Sequence, residues 1–237
     1  MREALAFLTP FPGARQPSPR ALRWFPLVGA LLGLLLGGLW WATAKIWPLP
    51  LAAVVVVVAD LAFTGMLHVD GLADSADGLL PHLTRERRLA VMREPTIGAY
   101  GAAVVAVTLL ARWAVFATLR PAPLLVAGLW CASRTAMAAV VDRVPYARAE
   151  GETSLVSAFM GSRLPAWLAG LSVGVAAAAA GVWSLPAGTV AVVAGLVAFG
   201  AVTALARHRL GGYTGDVLGA AGLIGESVGL LVAAAKW

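Results

Sequence analysis

The sequence predicts an all-α, polytopic membrane protein: a transmembrane helical bundle of about seven spans, or six with a re-entrant segment, with its N-terminus in the cytoplasm. Three observations lead there. Of the 237 residues, 60% are hydrophobic and only 13% charged, and the mean hydropathy of +0.83 exceeds what a soluble chain needs to fill one core. The apolar residues come in runs long enough to cross a hydrocarbon layer about 30 Å thick, which takes roughly 20 helical residues. Lys and Arg gather in alternate loops between those runs, and that alternation orients membrane helices.

The N-terminal stretch carries Glu3 and only a short apolar segment before Thr9 and Pro10, too short for the core of a signal peptide, so it is expected to stay in the mature protein. Residues 24–44 form the first uncharged run, and residues 48–67 the second, with Asp60 inside it. After a polar stretch come 97–119, containing Arg112, and 121–141, containing Arg134. Residues 164–206 carry no charge and are interrupted by Trp-Ser-Leu-Pro at 183–186, which fits two spans and a tight turn. The last run, 217–235, holds only Glu226; it is short enough to be re-entrant. Thirteen of the 18 Lys and Arg residues fall on one side of this arrangement, against three on the other and two inside spans. The crowded side is therefore expected to be cytoplasmic. Ten of the 12 acids share that side, and only Asp60 and Glu226 lie within spans. Any chemistry is expected on the cytoplasmic face of a cytoplasmic, or inner, membrane, in a single domain covering residues 1–237.

A net charge of +6 and a pI near 10.4 would suit a nucleic-acid binder if the basic residues formed one exposed face. They punctuate apolar runs instead, so no nucleic-acid partner is expected. The lone cysteine, Cys131, excludes an intrachain disulfide. An oligomer is neither required nor excluded.

The segment His68-Val-Asp-Gly-Leu-Ala-Asp-Ser-Ala-Asp-Gly78 concentrates acid in a chain otherwise poor in it. If it continues as helix from the second span, Asp70, Asp74 and Asp77 fall within about 60° of one another on one face. Carboxylates spaced this way repel by roughly 3 kcal/mol per pair at an effective dielectric near 20. A hard divalent cation, Mg²⁺, ligated by Asp70, Asp74, Asp77 and substrate phosphates, answers that repulsion. The competing reading is a solvated acidic turn capping a helix N-terminus. His68 projects to another side and is open to roles as general base, phosphate donor or interfacial residue.

Further candidates lie downstream. Arg93 and Glu94 precede the third span, and a guanidinium fork suits phosphate oxygens; Arg85, Arg87 and Arg88 read as topological charges. Arg134, inside a span, needs an interior partner, and Arg112 is expected in a structural ion pair with Asp60. Arg148 and Glu150, in one loop, and Thr214 and Asp216, among four glycines in another, bring charge and exposable backbone N–H groups to the same face. Glu226 is a functional candidate because burying it is expensive.

Together, Gly-Met-Leu-His-Val-Asp-Gly-Leu-Ala-Asp-Ser-Ala-Asp-Gly-Leu (65–79), Met-Arg-Glu-Pro-Thr-Ile-Gly-Ala-Tyr-Gly (92–101), Val-Pro-Tyr-Ala-Arg-Ala-Glu-Gly (144–151) and Arg-Leu-Gly-Gly-Tyr-Thr-Gly-Asp-Val-Leu-Gly-Ala (209–220) resemble the cobalamin synthase, or adenosylcobinamide-GDP ribazoletransferase, family over nearly the whole chain. The pattern departs at Thr9-Pro10, where Thr-Arg is usual, and after Gly151, where Leu-Gly is more usual. The resemblance implies a multipass enzyme that joins adenosylcobinamide-GDP to α-ribazole or its 5′-phosphate, releasing GMP with the help of Mg²⁺. In that scheme Asp70, Asp74 and Asp77 hold the metal and the ribazole 5′-hydroxyl attacks the phosphorus attached to cobinamide. Asp216, or second to it His68, takes the proton, and Asp74 and Asp77 count among the catalytic residues. Arg93, Glu94, Arg134, Arg148, Glu150, Thr214 and Glu226 are the substrate-binding candidates.

Three rival readings fit less well. CDP-alcohol phosphotransferases place Ala-Arg shortly after their first Asp-Gly, whereas Ala73 is followed here by Asp74. Aspartate-rich prenyltransferases use a second acidic repeat that this chain lacks. A cation-coupled transporter using Asp60, Arg112, Arg134 and Glu226 would spread its acids through the membrane, and here they collect at one surface.

Overall fold

A computed structural model describes residues 1–10, 18–148, 159 and 161–237. Its described elements are all helical. A short α1 (Arg2–Leu8) and a 3₁₀ turn (Pro19–Trp24) lead into α2 (Phe25–Thr43), α3 (Leu49–Phe63), α4 (Leu67–Leu79) and α5 (Arg85–Val91). They are followed by α6 (Ala99–Thr118), α7 (Pro123–Arg143), α8 (Ala166–Trp183), α9 (Ala187–Leu210) and α10 (Gly215–Ala233). Proline stands in the first turn of α2, α3 and α7, where its missing N–H has no intrahelical partner to lose and its fixed φ suits the helix. The turn expected at 183–186 separates α8 from α9 as anticipated.

Among the described residues, six helices are long and apolar enough to cross a membrane, starting with the stretch Pro19–Thr43 and continuing with α6, α7, α8, α9 and α10. The seventh expected span is different. Its helix stops at Phe63, and Gly65 and Met66 both take left-handed backbone angles (φ 56° and 61°). α4 then departs at 85° to α3. The 15-residue α3 is only about 22 Å long at 1.5 Å per residue, too short to cross alone. The expectation of an unbroken helix from the second span into the aspartate segment is thus corrected: two residues in the left-handed region cannot continue a right-handed helix. The irregular segment expected at the C-terminus is at the second span instead, and α10 runs unbroken.

α7 and α10 are the interior helices, with 78% and 72% of their spanning windows buried, against 17% for α8. Small residues permit this. A Cβ at Gly33 of α2 would lie 2.6 Å from the Val126 carbonyl of α7, so the two backbones approach as only glycine allows. Leu35, Val107, Leu110, Val182 and Val197 point outward and are exposed, as side chains facing lipid should be.

Four charges sit in this apolar interior, and they meet. Arg112 of α6 donates from Nη2 to Asp60 Oδ2 of α3 (2.6 Å) and from Nη1 to Glu226 Oε2 of α10 (3.4 Å) and Ser227 Oγ (3.2 Å). Arg134 of α7 donates to the other oxygen of Glu226 and to Ser133 Oγ. The Arg112 guanidinium also lies over the Trp130 ring, 4.8 Å from its centroid. Two arginines and two carboxylates balance, and every one is buried. The Arg112–Asp60 pair is the one expected from the sequence. Because breaking a buried pair strands the other charge, Asp60→Asn or Glu226→Gln is expected to cost about 3–5 kcal/mol, read as a fall in the unfolding midpoint in detergent. Replacing Asp60 and Arg112 together by leucine and methionine should cost less than Asp60→Asn alone.

Candidate active site

Between His68 and Leu79, α4 buries every residue except Asp70, Asp74 and Asp77. The 3.6-residue period sets three carboxylates on the one open stripe of a helix otherwise packed on both sides, as the sequence predicts for this face. Val69 and Leu72 pack with Ala220 and Leu223 of α10, and Val104 and Val105 of α6 border them. The approach of α10 is close at Gly71, where a Cβ would lie 2.7 Å from the Asp216 carbonyl oxygen. That contact brings Asp216 to the stripe. Asp74 lies in the field of Asp216, Asp70 and Asp77, with Arg148 as the opposing charge.

Asp77 has a second task. Its Oδ2 accepts the Gly98 N–H (2.7 Å) and its Oδ1 the Gly101 N–H (2.9 Å), so it caps the N-terminus of α6, whose own cap residue, Gly98, has no side chain. A Cβ at Gly101 would lie 2.9 Å from the Ala73 carbonyl oxygen and closer still to the Asp77 carboxylate, so glycine is needed there. The sequence offered capping as the alternative to metal binding; for Asp77 capping is present, on a neighbouring helix. Gly98 and Gly101 stood in the quoted motif without a role.

Asp216 sits in the first turn of α10 behind its N-cap, Thr214, whose hydroxyl accepts the Val217 N–H and donates to Asp216 Oδ2 (3.2 Å). Arg148 Nη2 donates to the same oxygen (2.8 Å). Two backbone bonds bring Arg148 here: Ala147 N–H to the Tyr213 carbonyl (2.8 Å) and Tyr213 N–H to the Pro145 carbonyl (3.0 Å). Burial, with Tyr146 beside it, pushes the Tyr213 hydroxyl up to about 12, so this phenol stays neutral at physiological pH. Next to Arg148, Arg85 and Arg93 line a groove of about 390 Å³.

The arginines assigned to topology are also at work. Arg85 holds the Leu210 and Ala147 carbonyls (2.7 and 2.8 Å), and Arg88 holds those of Gly78 and Leu79 (2.7 and 2.9 Å). They close the C-terminal ends of α9 and α4, where cations are favoured.

The predicted site residues therefore divide. Asp70, Asp74, Asp77, Asp216, Arg148 and Thr214 come together, and Arg93 lines the same groove as Arg148. Glu94 is on an exposed turn, paired with Arg87 (2.8 Å). Arg134 and Glu226 belong to the buried network, Glu226 ten residues, or about 15 Å, along α10 from Asp216; their charges are spent on each other and on Arg112. His68 is buried behind the stripe and lines a separate pocket. Glu150 lies outside the described residues. Among the described residues, no three His, Cys, Asp or Glu side chains are gathered closely enough to enclose a metal ion.

The family model for cobalamin-5-phosphate synthase matches residues 1–234 of this chain. The chain belongs to that family. Among its relatives, the adenosylcobinamide-GDP ribazoletransferase of Chlorobium phaeovibrioides is 36% identical, aligned over 87% of this chain and 84% of its own length. Those of Bradyrhizobium diazoefficiens and Chlorobaculum tepidum are 36% and 33% identical, covering 99% and 98% of this chain and 93% of each relative. No solved structure matches. As a member of the cobalamin-5-phosphate synthase family, the chain is a multipass membrane transferase of cobalamin biosynthesis.

The geometry separates structural from chemical acids in a testable way. Asp77→Ala removes two capping bonds and is expected to cost about 1–2 kcal/mol of stability, seen as a lowered thermal midpoint in detergent. Asp70→Ala, at an exposed position with no donor among the described residues, should leave that midpoint unchanged or raise it by relieving repulsion.

Proposed function

We propose that this chain transfers the adenosylcobinamide-phosphate group of adenosylcobinamide-GDP to α-ribazole or its 5′-phosphate, releasing GMP, in a Mg²⁺-dependent reaction. The observation that carries the reading is the open carboxylate stripe of α4 facing Asp216 and Arg148. The alternation of basic loops supports a cytoplasmic position for this site and for the N-terminus.

The donor set suits a hard cation. Among the described residues nothing donates a hydrogen bond to Asp70 or Asp74, and Mg²⁺ characteristically takes one or two carboxylates together with substrate phosphates instead of a closed protein cage. Asp70 and Asp74 would hold the ion, and Asp77 would add charge while keeping α6 in place. When bound, the cation neutralises charge on the diphosphate and on the departing phosphate.

The protein's own residues supply the remainder. Arg93 and Arg148, on the groove beside the stripe, bind phosphate oxygens of the donor. Asp216 accepts the proton of the attacking hydroxyl, aided by its position at the end of the stripe. An oxygen–phosphorus bond forms at the phosphorus attached to cobinamide, the bond from that phosphorus to the GMP oxygen breaks, and GMP departs in line. An acceptor that also reacts as its 5′-phosphate has no free 5′-hydroxyl, so the nucleophile is corrected to a secondary ribose hydroxyl.

Purified protein in detergent, given adenosylcobinamide-GDP and α-ribazole, should release GMP with Mg²⁺ and stop when the metal is chelated. Asp74→Asn should reduce turnover by about 10²–10³-fold, as loss of one preorganised charge-stabilising group does, with an unchanged unfolding midpoint. Turnover within a few-fold of the unaltered protein would remove Asp74 from the mechanism.

A further inference from the structure

Behind the stripe, α1, α2, α4, α7 and α10 enclose a small pocket of about 140 Å³. Phe7 and Phe25 form one wall, their rings stacked at 5.7 Å, with Phe159 edge-on to both. Met137 and Leu218 extend the apolar lining, and Asp216 lies at the pocket as well as at the stripe. His68 completes the lining beside Leu8, Leu67 and the backbone of Gly215 and Gly219. His68 is only 5% exposed, and among the described residues nothing hydrogen-bonds its ring. A buried polar side chain normally has a partner, so a lone ring aimed into an apolar pocket marks a place for a ligand atom.

We propose that this pocket receives the aromatic base of the acceptor nucleoside and that His68 hydrogen-bonds its free ring nitrogen. The inference rests on the function proposed above. The volume lies below the range typical of whole-ligand sites, so it fits a flat bicyclic ring and excludes a corrinoid. Stacked phenylalanines suit an aromatic face, and Met137 adapts to a ring edge. A guanine base asks for several partners at once, whereas beside His68 the pocket offers only the Asp216 carboxylate, already engaged by Arg148 and Thr214, so most of its edges would be buried unpaired at high desolvation cost; a benzimidazole asks for one partner, which His68 supplies. Because Asp216 borders both spaces, a base in the pocket sets its attached ribose beside the residue that takes the proton. His68 is then a specificity residue and has no part in proton transfer.

The test compares two acceptors, a benzimidazole ribonucleoside and the matching indole ribonucleoside, which lacks the free nitrogen. Titration calorimetry of each on the detergent-solubilised protein, without donor, reads the pocket independently of turnover. The unaltered protein should bind the benzimidazole nucleoside about five- to tenfold more tightly, the worth of one neutral hydrogen bond. His68→Ala should erase that preference, and His68→Asn should restore part of it, with the KM for adenosylcobinamide-GDP unchanged in both. Phe7→Ala should weaken both nucleosides alike. Equal binding of the two by the unaltered protein, or a preference that survives His68→Ala, overturns the assignment. Selective nucleoside binding without GMP release would instead strike the proposed reaction and leave the pocket standing.

Discussion

Four charges that cannot be left alone in an apolar interior fix much of this structure. Asp60, Arg112, Glu226 and Arg134 come from α3, α6, α7 and α10, and each is buried. A salt bridge on a surface is nearly optional, since water replaces either partner. Inside a bundle the alternatives are far worse, so the four helices are committed to one rotation and one depth relative to each other. That commitment is felt at the site: once Glu226 sets the rotation of α10, Asp216 in its first turn faces α4, and once Arg112 sets α6, the amides of Gly98 and Gly101 are presented to Asp77.

The site is assembled around that frame by close backbone approach and by arginines. Gly71 lets α10 reach α4, and Gly101 lets α6 reach it from the other side. Arg88 and Arg209 hold the C-terminal carbonyls of α4, so the helix that carries the acids is tied at that end. The result concentrates negative charge on a stripe opposed at Asp74 by Arg148.

Much of this was legible in the sequence because it depends on short-range periodicity. Apolar runs announced about seven spans, six of which are single helices long enough to cross, and the i, i+4, i+7 spacing announced the open stripe of α4. The cost of burying either alone asked Asp60 and Arg112 for partners, and they are each other's. What the sequence concealed depends on contacts between distant residues or on single backbone angles. Nothing in Phe63-Thr-Gly-Met66 announces a left-handed methionine, so the bend in the second span was missed. Arg148 meets Asp216 only because Pro145 and Tyr213 pair across a loop, and no local pattern encodes that meeting. Asp77 is equivalent to Asp70 and Asp74 in the sequence pattern, and only the fold sets the start of α6 on it. Arg134 and Glu226 looked like site residues for a sound reason, the expense of burial, but that expense is met by each other.

The cap that Asp77 places on α6 separates two kinds of compensation. The amide end of a helix acts as roughly half a positive charge, and it is permanent: it neither diffuses away nor exchanges. One acid of the stripe is thereby answered by the scaffold itself. Its neighbour Asp74 lies among like charges with Arg148 opposing them. Taking away the Asp77 carboxylate would therefore unseat the start of a neighbouring helix as well as change the charge of the stripe.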